Sequence, residues 1–455
     1  MTPDEAIAWW YGRIDFERKP AQPGDLKLDR MRALLRALGD PHRRLRIVHV
    51  AGTKGKGSTS AMLASVLRAA GYRVGLFTSP HLSDVSERIQ IDGVPISREE
   101  LAVRMVEVAA ASCVIDQGGD ADRAPTFFEV GTALGFLHFV CRQVDVAIIE
   151  VGLGGRYDST NVCQPLLSII TNISFDHMAQ LGDRLPLIAR EKAGIIKQGR
   201  PVVTTADAPE ALAVIEEVAR EHLAPLAALG RDFRFEYRPG RVVAPSSGSS
   251  SLPQVRVQTF RQWWPWMDLG LIGQHQAANA AGVVASVETL RREGLVIDDA
   301  AVARGLANVH WPARLEIVGT SPLVLLDCAH NVASAQALVD TIRDSLVVTG
   351  SKQLVFAVSN DKQVAEILAV LAPCFDHFHL TRYGNNPRCL PPETAGELLR
   401  RARPDVCCTL HENAAEALRS AQSDAGPDGL VVVTGSVFLA GEVRPLVFQP
   451  ITASD

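Results

Sequence analysis

The sequence predicts an α/β protein of two domains, and three observations predict it. From Arg46 onward, nearly continuous apolar strands alternate with segments of helical periodicity, the pattern of a mainly parallel sheet covered on both faces. A glycine- and lysine-rich turn, Gly52–Ser58, lies between the first such strand and its helix. A second, shorter strand–helix series starts near Pro312. At 455 residues the chain exceeds the size at which one hydrophobic core keeps growing. The expected division is 1–308, an N-terminal domain of P-loop type with a peripheral hairpin, and 309–455, a smaller C-terminal Rossmann-like α/β domain.

The elements follow in order. Met31, Leu34, Leu35 and Leu38 have helical spacing and end at Gly39-Asp40-Pro41. Residues 46–51 read as a short strand and 58–70 as a helix capped by Gly71. Strands are expected at 73–78, 144–151 and 166–172, and helices at 127–142 and 185–196. The run 238–255, rich in Gly, Ser and Pro, reads as a peripheral hairpin with a mobile tip, beside a strand at 255–260. The nearby Trp263-Trp264-Pro265-Trp266 cluster reads as packing for that hairpin rather than as a stacking platform. Helices at 275–292 and 298–307 close the first domain. In the second, strands at 323–327, 353–358, 378–381 and 430–434 alternate with helices at 333–346, 364–371, 392–401 and 414–422.

Bulk properties exclude several classes. A net charge of −5 provides no basic field for a nucleic-acid backbone. No segment offers the ~18 uninterrupted apolar residues that a membrane span needs, and the acidic start Thr2-Pro3-Asp4-Glu5 is no export signal. The 8 cysteines lack C-x-x-C spacing and read as reduced thiols. The expectation is a cytoplasmic monomer acting on small molecules, with neither nucleic acid nor membrane as partner.

The chemistry starts at His49-Val50-Ala51-Gly52-Thr53-Lys54-Gly55-Lys56-Gly57-Ser58. Backbone N–H groups of such a turn, with the following helix N-terminus, form an anion cradle, and Lys56 can reach terminal phosphates. The fit to G-x-x-x-x-G-K-[ST] is imperfect: Val50 replaces the first Gly, and Gly57 stands where Ser or Thr follows the Lys. Glu150 closes an apolar strand at its carboxyl end, where ligands bind in open α/β sheets. It is placed to hold Mg²⁺, or else to accept hydrogen bonds from the following Gly-rich turn. His177 lies on the same edge.

The loop Gly52–Ser58, followed by Phe77-Thr78-Ser79-Pro80-His81-Leu82, resembles the folylpolyglutamate synthase and dihydrofolate synthase branch of the Mur ligase family. The resemblance spans nearly the whole chain. It continues through Glu87-Arg88-Ile89, Thr126-Phe127-Phe128-Glu129, Glu150–Asn161, Asp176-His177, Arg190–Ile195, Gly273–Gln276 with Asn279, Pro312–Glu316, Asp327–Asn331 and Gly435-Ser436. The family loop reads G-T-N-G-K-G-S, so Lys54 replaces an Asn; it adds a phosphate contact or points to solvent.

The resemblance implies ATP and two Mg²⁺ ions. Gly52, Thr53, Lys54, Gly55, Lys56, Gly57 and Ser58 are then expected at the phosphates, with Asn279 at the adenine. Ser79 and Glu150 are expected on one metal and His177 on a second, with Ser79 taking the role of the residue after Lys in ordinary P-loops. Lys192, a surface lysine by default, is implied to be carbamylated. Arg314, Asp327 and His330 are implied at the nucleotide across an interdomain cleft, although Arg314 also suits a salt bridge. Asp158 and Phe128 match pterin-contacting positions, Phe128 suiting plain helix packing as well, and Ser436 is grouped with the substrate.

The implied reaction is acyl activation. A substrate carboxylate attacks the γ-phosphate of ATP, and the amine of L-glutamate then displaces phosphate from the acyl phosphate. Dihydropteroate and tetrahydrofolate are the candidate acceptors, with a bifunctional enzyme favoured over a folylpolyglutamate synthase alone. Another Mur-type amino-acid ligase and a nucleotide-driven switch remain as alternatives.

Overall fold

The computed structural model describes residues 1–15, 27–116, 124–243, 249–384 and 386–448. The expected hairpin tip includes 244–248, which lie outside the described residues. The chain divides into two compact units. The first comprises Met1–Glu236, Val255–Met267 and Ala278–Val309, and the second Tyr237–Gln254, Asp268–Ala277 and the chain from His310. The main boundary thus falls at 309/310, and two short excursions before it cluster with the second unit.

The first unit carries an eight-stranded sheet. Its strands are β1 (Ile47–Ala51), β2 (Val74–Phe77), β3 (Ile89–Ile91), β4 (Val94–Pro95), β5 (Val146–Glu150), β6 (Leu167–Ile170), β7 (Val202–Thr204) and β8 (Leu226–Ala228). The order is β4-β3-β2-β5-β1-β6-β7-β8. Pairing is parallel from β2 to β8, while β3 and β4 add an antiparallel edge. Every residue of β1, β2, β5 and β6 is buried, as an apolar run covered on both faces requires.

Helices cover the sheet in two apolar clusters. One joins α1 (Pro3–Tyr11), α2 (Leu28–Ala37), α4 (Arg98–Asp116) and α5 (Phe127–Cys141) through Trp10, Leu34, Met105 and Phe136. The other, beyond the short helix α6 (Met178–Leu181), joins α7 (Leu185–Ala193) and α8 (Pro209–Glu221) through Ile188, Ala193, Ile215 and Val218. The helix α3 (Lys56–Ala69) starts two residues earlier than the apolar spacing indicates, because left-handed Gly55 is its N-cap. It ends at Gly71, φ 90°, whose N–H bonds to Arg68 while that of Tyr72 bonds to Leu67. Both bonds belong to the glycine-capped ending expected there.

The 238–255 region is more than a hairpin. Arg234–Arg238, Gln254–Gln258 and Met267–Asp268 form a three-stranded sheet, and Val242–Val243 pairs in parallel with Leu346–Val347. The tryptophans divide their roles. Trp264 is buried and donates its indole N–H to Glu288 at 2.9 Å, whereas Trp263 is exposed, with Arg234 and Arg256 over its ring.

In the second unit a six-stranded sheet runs, in order, Glu316–Thr320, Leu323–Leu326, Leu430–Thr434, Lys352–Phe356, His377–Leu380 and Cys407–Leu410. Only the first strand is antiparallel. All 8 cysteines are free. No described helix is long and apolar enough to cross a membrane.

Candidate active site

The phosphate-type loop leaves β1 at Gly52 and enters α3 at Lys56. Two glycines are required by what lies against them. A Cβ on Gly52 (φ 148°) would stand 1.8 Å from Thr171 Oγ1, and one on Gly55 (φ 86°) would stand 2.4 Å from Asn279 Oδ1. The buried Asn279 side chain therefore lies directly against the loop. Lys56 Nζ donates to the Thr53 carbonyl at 3.4 Å, which folds its ammonium back over the turn. Gly57 and buried Ser58 form the first turn of α3, whose N–H groups have no intrahelical acceptor.

The loop is zipped to the segment that follows β6. Thr53 N–H donates to Asn172 O at 2.8 Å, and its hydroxyl lies 3.1 Å from Ser174 O and 3.1 Å from Ser174 N. Thr171 Oγ1 donates to Lys54 O at 2.7 Å. The Lys54 ammonium donates to Asp176 Oδ2 at 3.0 Å. The other Asp176 oxygen accepts the N–H of His177 at 3.0 Å, and His177 sits in the left-handed region, φ 50°.

Glu150 ends β5 beside β1, level with Val50, and is buried. Its Oε2 accepts the Ser79 N–H at 3.2 Å, so carboxylate and serine are neighbours. A carboxylate and a hydroxyl are the hard oxygen donors that magnesium prefers, and this pair fits such an ion. Among the described residues no three His, Cys, Asp or Glu side chains are grouped closely enough to hold a metal. His177 is therefore not drawn into such a group with Glu150, and its side chain is half exposed.

Lys192 is no surface residue: it is 5% exposed on α7, and its Nζ donates to Gly52 O at 2.8 Å. Burial first, then the charge of Lys56, pushes its pKa down to about 7. Gly155 and Gly194 let the Gly-rich loop approach α7 closely. A Cβ on Gly155 would meet the Glu191 carbonyl at 2.6 Å, and one on Gly194 would meet Arg156, so the Gly-rich loop and α7 pack backbone to backbone.

Asp158 builds that loop. Its Oδ2 accepts the N–H groups of Gly152 at 3.0 Å and Leu153 at 2.9 Å, and its Oδ1 accepts the N–H and hydroxyl of Thr160. Because the Thr160 hydrogen goes to Asp158, the hydroxyl oxygen must accept from His49 Nε2–H, 2.8 Å away. Burial holds His49 neutral, its pKa down to about 3. This His49–Thr160–Asp158 relay was not found in the sequence; a histidine inside an apolar strand was its only signal. Phe128, at the start of α5, is partly buried. Its ring is 5.9 Å from that of Phe77 and fills the space that a Gly152 Cβ would take.

In the second unit, Asp327, His330 and Ser436 stand at the carboxyl ends of two adjacent parallel strands. Asp327 is buried and accepts the N–H groups of Ala329 at 2.7 Å and Leu315 at 3.2 Å. Burial raises its pKa, and Arg314 opposes the rise. Arg314 donates to Ala313 O at 3.0 Å, between left-handed Ala313 and Leu315. His330 Nδ1 lies 2.8 Å from Cys328 O, and Ser436 Oγ accepts the N–H of Phe438 at 3.1 Å.

Over nearly its whole length the chain is similar to known proteins. Residues 50–287 match the profile of the Mur ligase middle domain, and residues 313–437 that of the Mur ligase, glutamate ligase domain. The dihydrofolate synthase/folylpolyglutamate synthase of Bacillus subtilis is 36% identical over 442 residues, 97% of this chain and 98% of that protein. The Mycobacterium tuberculosis protein of the same description is 37% identical, over 98% of this chain and 95% of its own. A structure of M. tuberculosis folylpolyglutamate synthase complexed with ADP and AMPPCP superposes with a TM-score of 0.87 at 34% identity, covering 98% of this chain and 99% of that one. An Escherichia coli structure in complex with DHPP and ADP gives 0.83 at 29% identity, covering 97% of each chain.

Proposed function

The chain belongs to the Mur ligase family, in its folylpolyglutamate synthase and dihydrofolate synthase branch, and from that premise we propose how its residues work. The protein is an ATP-dependent, amide-forming glutamate ligase of folate metabolism. Our reading is that it takes both dihydropteroate and reduced folate as acceptors, in the cytoplasm and as a monomer.

The observation that carries the site assignment is the convergence at one sheet edge of the loop Gly52–Ser58, the Ser79–Glu150 pair and the Lys192–Gly52 hydrogen bond. Loop N–H groups and Lys56 receive the terminal phosphates, and Asn279, already against Gly55, borders the nucleotide. Ser79 and Glu150 would hold one magnesium ion and His177 a second. When bound, the ions neutralise charge on the transferring phosphoryl group. The substrate carboxylate attacks the γ-phosphorus, the bond to ADP breaks, and an acyl phosphate forms. The glutamate amine then attacks the acyl carbon and phosphate leaves.

Lys192 is suited to carbamylation because the reaction needs a neutral amine. Burial supplies one near pH 7. Nζ attacks CO₂, an N–C bond forms and a proton leaves; the remaining N–H can still donate to Gly52 O. The resulting anion would face the lysines of the loop. Phe128, flanked by Phe77 and Gly152 and partly open, is suited to stack on a pterin, and Asp158 serves that site by fixing the Gly152–Leu153 turn. For the second unit we assign Arg314, Asp327 and His330 to the nucleotide and Ser436 to the substrate.

The test is ADP release from ATP with dihydropteroate, tetrahydrofolate or neither, each with and without L-glutamate. Glutamate-dependent release with both acceptors is expected. Release with tetrahydrofolate alone would restrict the enzyme to tail extension. Turnover indifferent to both co-substrates would sink the ligase reading.

A further inference from the structure

We propose that Lys54 is a positioning residue that locks the conformation of His177 through Asp176. This rests on the reading above that His177 serves a magnesium ion. Three observations lead to it. The Lys54 ammonium donates to Asp176 Oδ2 at 3.0 Å, with Asp176 only 9% exposed and Lys54 25% exposed at the side chain. The other Asp176 oxygen holds the His177 N–H at 3.0 Å. His177 is left-handed, φ 50° and ψ 40°, and is the N-cap of the short helix Met178–Leu181. A non-glycine residue pays for that backbone region and keeps it only when its surroundings hold it there.

Asp176 is thus a two-oxygen bridge from the phosphate loop to the His177 backbone. The bridge extends a ladder that starts at Thr171–Lys54 and runs through Asn172–Thr53 and Ser174–Thr53. An asparagine at position 54, the residue of the family pattern, is shorter by more than a bond and uncharged. It could not carry an ammonium to Asp176, so the charged latch depends on the lysine this chain has at that position. A partly buried, charge-assisted hydrogen bond is stronger than a neutral one. Lys54 therefore acts on the metal-side loop rather than on phosphate.

The experiment is amide hydrogen–deuterium exchange of nucleotide-free, magnesium-free protein, comparing Lys54→Met, Lys54→Asn and Lys54→Arg with the parent. Because no metal or nucleotide is present, its outcome is independent of whether His177 binds magnesium. Exchange in residues 173–181 is expected to quicken about tenfold in Lys54→Met and Lys54→Asn, with the rest of the first unit unchanged, and to return toward parent in Lys54→Arg. In steady state, half-saturating Mg²⁺ should rise several-fold in the neutral variants, with a smaller change in kcat. Unaltered exchange at 173–181, or quickening spread evenly over the unit, would overturn the proposal. So would a weaker affinity for AMPPCP without magnesium at unchanged exchange, because Lys54 would then be a phosphate contact. A local exchange effect with unchanged Mg²⁺ dependence would retain the latch and remove His177 from the metal.

Discussion

Lys192 Nζ donates to the carbonyl oxygen of Gly52 at 2.8 Å, which ties a lysine from α7 to the first residue of the phosphate loop. This joins the two lysine functions of the site, because burial and then the nearby Lys56 charge lower the Lys192 pKa to about 7. If the neutral amine takes up CO₂, intact mass under native, bicarbonate-containing buffer will show one added CO₂ that Lys192→Ala lacks. Occupancy should rise as pH rises through about 7, where burial places the amine. Lys192→Ala should lose at least about a hundredfold in kcat, the scale of lost electrostatic stabilisation. An unmodified yet fully active lysine would refute the carbamate.

Lys56→Ala removes the ammonium that folds over Thr53 at the start of α3. The expected loss in kcat is about a thousandfold, with the melting temperature within a few degrees of the parent. Stopped-flow or ADP-release kinetics beside a thermal melt separates the two effects. Near-normal turnover would mean that the loop does not meet the reacting phosphates.

Gly52→Ala forces a methyl group against Thr171 Oγ1, 1.8 Å from where its Cβ would stand. Either β1 and β6 separate or the loop moves, at a cost of about 2 kcal/mol. Urea unfolding should show it, and the double variant Gly52→Ala with Thr171→Ala should recover part of the loss. Equal stability of parent and Gly52→Ala would contradict the packing described.

Acid should destabilise the fold through its buried histidines. Burial holds His49 near a pKa of about 3, and His138, His275 and His379 near about 4, against an ordinary value of 6.5. Between about pH 4 and 6.5 the unfolded chain binds more protons at these sites than the folded one. Stability therefore increases with pH across that window and is complete above it. Melting temperature should fall as pH is lowered from 7 to 5, and His49→Gln should flatten that slope. A pH-independent melt over this range would show that these rings are not held neutral.

Much of this was legible in the sequence. The strands that became β1, β2, β5 and β6 are apolar throughout, and an unbroken apolar run has few options besides the centre of a parallel sheet. Gly71 was informative for a backbone reason, since a left-handed position just after a helix restricts the residue type. What stayed hidden depends on side chains distant in sequence. Thr2-Pro3-Asp4-Glu5 carries a capping box that starts α1, unnoticed when the segment is read only for export signals. Nothing near Lys192 in sequence shows that Gly155 will pack on its helix and bury it. Lys54 likewise finds Asp176 only because β1 and β6 are neighbours.

If a carboxylate is phosphorylated before glutamate attacks, one of its oxygens must leave with the phosphate. The most direct test is to label both carboxylate oxygens of the acceptor with oxygen-18 and to analyse the released phosphate by mass spectrometry after a glutamate-dependent turnover. An acyl phosphate keeps one carboxylate oxygen on phosphorus when the amine displaces phosphate, so one labelled oxygen per phosphate is predicted. Unlabelled phosphate alongside full amide formation would contradict it.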